Sequence, residues 1–214
     1  MKLYSADLSP FAARVRLAIY AKGLAVEILP PPGGDTKSAD YLAINPMGKI
    51  PALVLADGTV IPESDTIVEY LADAFPQSGL RPKGAEATAR ARLLARVAEL
   101  YVMASGAALF GQMNPATRDA AAVEAAFAQL ESGLTHLNLF ATEDAYAVGD
   151  TITTADCALV PILVFLGVFG HVFGKGDLLA GHGKLHAYWA RVQSDAAVIK
   201  VVGEMRAALA ARGG

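Results

Sequence analysis

The stretch "PALVLADGTVIPESDTIVEYLADAF", Pro51 to Phe75, decides how the first part of the chain folds. Two apolar runs flank Asp57-Gly58, a dipeptide that accepts the positive φ angles of a tight turn, so the stretch predicts a β-hairpin. A helix follows, begun at Ser64 and stopped before Pro76. Upstream, "KLYS" (Lys2 to Ser5) reads as a short strand, Pro10 to Lys22 as a helix ended by Gly23, and "AVEILP" (Ala25 to Pro30) as a second strand. The run "PPPGGDTK" strings Pro and Gly together and cannot be regular structure, and "SADYLAIN" is a short helix capped by Ser38. The order βαβαββα predicts a compact α/β unit with a mixed sheet.

Downstream, "PQSGLRPKG" (Pro76 to Gly84) carries two Pro and two Gly and reads as a boundary. Everything after it reads as helix. Arg90 to Gln112 places Leu93, Val97 and Leu100 on one face; Ala120 to Phe140 repeats Val123, Phe127, Leu130, Leu134 and Leu137 at three-four spacing. "TITTADCALVPIL" opens a strongly apolar helix, and Leu185 to Arg191 and Ala196 to Leu209 supply two more. The expected domains are therefore 1–76 (α/β), a linker over 77–84, and an all-α bundle over 85–214.

A chain of 214 residues buries enough apolar surface to fold without disulfides or metal. The formal net charge of -3 offers no electrostatic footprint for nucleic acid or an anionic membrane. Cys157 is the single cysteine, which excludes a disulfide framework and fits a reducing, cytoplasmic setting. The start "MKLYSADLSP" lacks the apolar segment of a signal peptide, and "CALVPILVFLGVFG", broken by Pro161, reads as a buried core helix and not a membrane span. No metal site is expected: His182 and His186 have i, i+4 spacing, but "HGKLH" has a Gly and no companion carboxylate, so both read as surface positions.

Three features carry chemistry. Helix N-termini attract anions through unpaired backbone N–H groups and the helix dipole, and Ser9 and Ser64 each stand at such an end. Taken alone, Ser9 before Pro10 reads as a plain N-cap, and so does Ser64 beside Glu63. The third is Ile50-Pro51 at the start of a strand, where a cis bond would turn the Ile50 backbone outward to pair with an extended peptide.

With these residues in view, the chain resembles the cytosolic glutathione transferases over almost its whole length, in the Ser-type, bacterial-like pattern nearest the theta and zeta classes. Four stretches carry the likeness: "SPFAARVR" (Ser9 to Arg16), "NPMGKIPAL" (Asn45 to Leu53), "PESDTIVEYL" (Pro62 to Leu71) and "GDTITTADCALVP" (Gly149 to Pro161). The resemblance implies a thioredoxin-like N-terminal domain and an all-helical C-terminal domain. It further implies glutathione as cosubstrate, a small hydrophobic electrophile, a detoxifying role and a homodimer. Ser9 would be the catalytic residue, donating its hydroxyl to the glutathione sulfur and so favouring thiolate. Ile50, ahead of Pro51, would pair with the cysteinyl backbone, and Lys49 would reach the glycine carboxylate. Glu63 would take the γ-glutamyl ammonium and Ser64 the adjacent carboxylate. Tyr101, Met103, Phe110 and Met113 are candidates for the electrophile's wall, with packing inside the bundle the competing reading for each.

With Ser9-Pro10 in place of a redox cysteine, the pattern points to conjugation or isomerisation and away from thiol exchange. The isomerases of the zeta class usually show "SSC" where this chain has "LSP", which weakens that alternative. Tyr4 is a rival for the catalytic hydroxyl but lies within its strand. A peroxidase, or a transferase-like module that only binds, completes the alternatives. Thr153 and Asp156 form the capping box of the apolar helix, and Cys157 reads as an inert core residue.

Overall fold

The computed structural model describes residues 1–211. By the density of their contacts they fall into two compact units: residues from Met1 to Arg81 together with those from Ser194 onward, and Pro82 to Gln193.

The first unit contains β1 (Lys2–Tyr4), α1 (Pro10–Lys22), β2 (Glu27–Leu29), α2 (Ala39–Ile44), β3 (Ala52–Val54), β4 (Val60–Pro62), α3 (Ser64–Ala74) and the late helix α9 (Ala196–Ala210). The sheet order is β2-β1-β3-β4, with β1 parallel to β2 and antiparallel to β3, and β3 antiparallel to β4. This is the mixed sheet that the βαβαββα order predicts. Leu3 and Leu53 sit opposite each other in the ladder and are fully buried.

Helix α1 has the bounds that its punctuation dictates. Pro10 occupies the first turn, where its missing N–H costs nothing, and Gly23 adopts φ +59 so that the Leu24 N–H can close on the Ile19 carbonyl at 3.0 Å. Every residue from Ala12 to Ile19 is buried, because α3 and α9 both pack on α1. The late helix, assigned from sequence to the helical domain, thus belongs by its contacts with the first unit. Arg81, assigned to the linker, is held there too, donating to Glu69 Oε2 at 2.8 Å and Asp73 Oδ1 at 2.6 Å.

The second unit holds α4 (Ala85–Val97), a π-helical turn (Ala98–Met103), α5 (Ala104–Phe110), α6 (Ala120–Phe140), α7 (Thr154–Val172) and α8 (Gly183–Val192). The α6 stripe is buried as its spacing requires. Along α4 and the π turn the expected face is only partly buried: Val97 is, but Leu93 and Leu100 are 41% and 49% exposed, and Ala91, Leu94 and Ala95 face the core instead. Alanines let α4 approach α7 closely, so the packed stripe is the less hydrophobic one. Gly133 of α6 allows a similar approach to the π turn, since a Cβ there would lie 2.3 Å from the Tyr101 carbonyl oxygen. Helix α7 continues through Pro161 and, by length and apolarity, could cross a membrane, but 72% of its most apolar stretch is buried inside the protein.

Candidate glutathione site

The strand register brings the three chemically suggestive segments to one end of the sheet. Tyr4 pairs with Ala52 and Ala52 with Pro62, so the loop after β1, the Ile50-Pro51 bond before β3 and Glu63-Ser64 after β4 all leave the sheet at the same level.

Ser9 is the N-cap of α1: its Oγ accepts the Ala12 N–H at 3.2 Å, and its own N–H donates to the Ala6 carbonyl at 3.1 Å. Capping uses a lone pair of the hydroxyl and not its hydrogen. The cap and a thiolate donor are therefore compatible roles for one atom group, which removes the choice between them that the sequence posed.

Ile50-Pro51 is cis. The carbonyl of Lys49, one residue earlier, accepts from the Tyr41 hydroxyl at 2.7 Å and from Asn45 Nδ2 at 2.8 Å, which fixes the backbone that leads into Ile50. Burial holds the Tyr41 phenol above its ordinary value of 10.0, so it remains a donor throughout the neutral range. The Lys49 side chain is exposed. Lys37 Nζ lies 3.1 Å from the Gly48 carbonyl and brings a second cation to this loop. Sequence reasoning passed over Lys37 because it sits at the end of the Pro-Gly run, where no periodicity assigns it a neighbour.

Glu63 has φ +68 and ψ 115, the single non-glycine positive φ among the described residues. Such a conformation costs on the order of 1–3 kcal/mol and persists where the surroundings require it. It places an exposed carboxylate directly before the buried Ser64, at the N-terminus of α3. Arg14, a buried residue of α1, lies 3.5 Å from Asp65 in the first turn of α3, so an ion pair joins the helices headed by Ser9 and Ser64.

Of the four proposed wall residues, all within the second unit, Met103 is buried in the core. Tyr101 is 53% exposed and meets His136 edge-on; Phe110 is 38% exposed, with its ring 5.0 Å from Phe165 and 5.1 Å from Phe169. Met113 is half-buried beyond α5. The competing reading, packing within the bundle, accounts for Met103 and for part of Phe110.

Elsewhere, His182 departs from the surface reading: it is buried, 3.2 Å from the Glu131 carboxylate, because α8 packs on α6. His186 is exposed. Asp156 accepts from the N–H groups of Ala147 and Thr153 and from the hydroxyls of Thr153 and Tyr188, completing the capping box of α7. Among the described residues no cluster of His, Cys, Asp and Glu has the makings of a metal site.

Residues 3–79 match the glutathione S-transferase N-terminal domain and residues 116–191 the C-terminal domain of the same family. The chain is 34% identical to glutathione S-transferase Z2 of Arabidopsis thaliana, over 75% of this chain and 74% of that one. It is 40% identical to a maleylacetoacetate isomerase of Pseudomonas aeruginosa, in a match that covers 37% of this chain and only 40% of the isomerase. Glutathione transferase F7 of Populus trichocarpa superposes with a TM-score of 0.80 and 25% identity, over 95% of this chain and 98% of that one. The protein belongs to the glutathione S-transferase family.

Proposed function

We propose that the protein binds glutathione at the shared end of the sheet and activates its thiol for attack on a small apolar electrophile. The observation that carries this reading is the convergence of Ser9, Ile50-Pro51 and Glu63-Ser64 on one level of the sheet. In this reading the N–H groups at the start of α1 and the Ser9 hydroxyl stabilise the thiolate, because hydrogen bonds to the charged form lower a pKa. Glu63 receives the γ-glutamyl ammonium, while Ser64 and the N-terminus of α3 receive its carboxylate. Lys49 and Lys37 supply positive charge for the glycine carboxylate, and the outward Ile50 backbone pairs with the cysteinyl unit.

The likeness to a maleylacetoacetate isomerase favours one second reading, isomerisation through the same thiolate. A module that only binds is disfavoured because Ser9, Glu63 and Ser64 are all retained. We further place the protein in the cytoplasm as a homodimer; the exposed Leu93 and Leu100 are apolar surface that such an assembly would cover. Sedimentation at low micromolar concentration checks the dimer, and a persistent monomer rejects it.

Two substitutions test the mechanism. Ser9→Ala should keep glutathione bound through its charged ends while turnover falls by about 10²-fold, as for a lost oxyanion-hole donor. Ser9→Cys should take up oxidised glutathione as a reductant-reversible mixed disulfide, because a helix N-terminus favours the thiolate. Wild-type turnover in Ser9→Ala together with no adduct on Ser9→Cys rejects the assignment.

A further inference from the structure

Arg16 is the largest of the side chains that are fully buried, and it lies beneath the segment that delivers Ser9. Its Nη1 donates to Ser5 Oγ at 2.8 Å and to the Ala6 carbonyl at 2.9 Å, and its Nη2 donates to the Asp7 carbonyl at 2.8 Å. The Ser9 N–H donates to the same Ala6 carbonyl, so Arg16 and Ser9 share an acceptor. A guanidinium without solvent needs a counter-charge. The Asp7 carboxylate, 3.5 Å away, is 61% exposed and therefore screened; Glu204 of α9 puts Oε2 3.0 Å from Arg16 Nε and is 22% exposed. Tyr20 and Lys200 fix Glu204 in turn, each donating to its Oε1, at 2.9 and 2.8 Å.

We propose that Arg16 is a positioning residue for the Ser9 hydroxyl, and that Glu204 on the late helix provides the charge that lets Arg16 occupy this place. The planar guanidinium holds the Ser5 hydroxyl and two successive carbonyls in one arrangement, which a lysine ammonium cannot reproduce. The turn before α1 is thereby fixed and the Ser9 Oγ is aimed at one point. The inference rests on the reading of Ser9 as the thiolate donor.

The test uses Arg16→Lys, Ser5→Ala and Glu204→Gln, with Arg81→Ala as a control that breaks the ion pairs with Glu69 and Asp73 in the same unit. For each, the pKa of enzyme-bound glutathione is titrated by thiolate absorbance, glutathione affinity is measured by calorimetry, and kcat and KM are measured with a model aryl halide. Arg16→Lys and Ser5→Ala should bind glutathione within about threefold of wild type, lose about tenfold in kcat, and move the acid limb of the pH–rate profile up toward the ordinary thiol value of about 8.5. Glu204→Gln should move the limb the same way, and Arg81→Ala should lower the thermal midpoint alone. If Arg16→Lys does not fold, the other two variants carry the test. A limb unmoved in every folded variant overturns the inference, and so does a downward movement in Glu204→Gln, which would mean that Arg16 acts through its field. Wild-type protein that forms no bound thiolate overturns the transferase reading itself.

Discussion

The Tyr41 hydroxyl reaches from α2 to the carbonyl of Lys49 at 2.7 Å, where Asn45 Nδ2 also donates, so one carbonyl is held by two side chains just ahead of the cis bond. Tyr41→Phe removes one donor without changing the packing of a ring that is fully buried. The expected cost is about 1 kcal/mol of stability, with a rise in the KM for glutathione larger than any change in kcat. Urea unfolding and steady-state kinetics check this; an unchanged KM would separate the Lys49 carbonyl from the binding of the tripeptide.

Glu63 allows backbone and side chain to be tested apart. Ala keeps the unfavourable φ of +68, whereas Gly adopts it freely. Glu63→Gly should therefore exceed Glu63→Ala in stability by about 1 kcal/mol despite the greater freedom of Gly in the unfolded chain. Both should lose glutathione affinity alike, by about 1.5–3 kcal/mol, since both remove the carboxylate proposed to receive the ammonium. Equal stabilities would show that the backbone is not strained in solution.

Burial raises the Asp156 carboxyl above its ordinary 3.8, against four hydrogen bonds that lower it. The folded protein then holds this proton more tightly than the unfolded chain does. Its contribution to stability is complete below pH 3.8 and is lost as the pH rises through the folded value. Asp156→Asn should be less stable at all pH values, having fewer acceptors for Ala147, Thr153 and Tyr188, and should lack that decline. Denaturant midpoints between pH 4 and 8 decide: an identical pH slope in the two proteins rejects the assignment.

A methyl group at Gly133 would meet the Tyr101 carbonyl at 2.3 Å. Gly133→Ala must push α6 away from the π turn, at a cost of about 1–3 kcal/mol. A methyl group at Gly203 would meet nothing beyond the backbone of its own helix within 4 Å, so Gly203→Ala should stabilise α9 by about 1 kcal/mol. Thermal unfolding of the two variants should move in opposite directions.

What the sequence made legible was local. Pro10 and Gly23 bracket α1, Ser38 caps α2, Asp57-Gly58 turns the hairpin, and the Val123 to Leu137 stripe of α6 is buried; each rests on a signal within a few residues. The misreadings share a different cause. His182 reads as a surface residue because its partner Glu131 stands on another helix, and the α4 face differs from its pattern because alanines pack where leucines advertise. At the candidate site, Ser9, Ile50-Pro51 and Glu63-Ser64 stand out through their motif. The supporting contacts of Tyr41, Asn45, Arg14 and Arg16 do not, although the last three lie in the same stretches, since those contacts depend on partners that periodicity does not name.

The return of α9 to the first unit has a consequence for how the chain is made. On the ribosome, Arg16 is synthesised before Glu204 by on the order of ten seconds or more. Until then the nascent α/β unit carries a guanidinium that its own segment faces with the exposed Asp7 carboxylate. A fragment ending at Arg81 should therefore emerge as a sheet with an unfinished face, a candidate client for chaperones, and should settle when a peptide spanning 194–211 is supplied in trans.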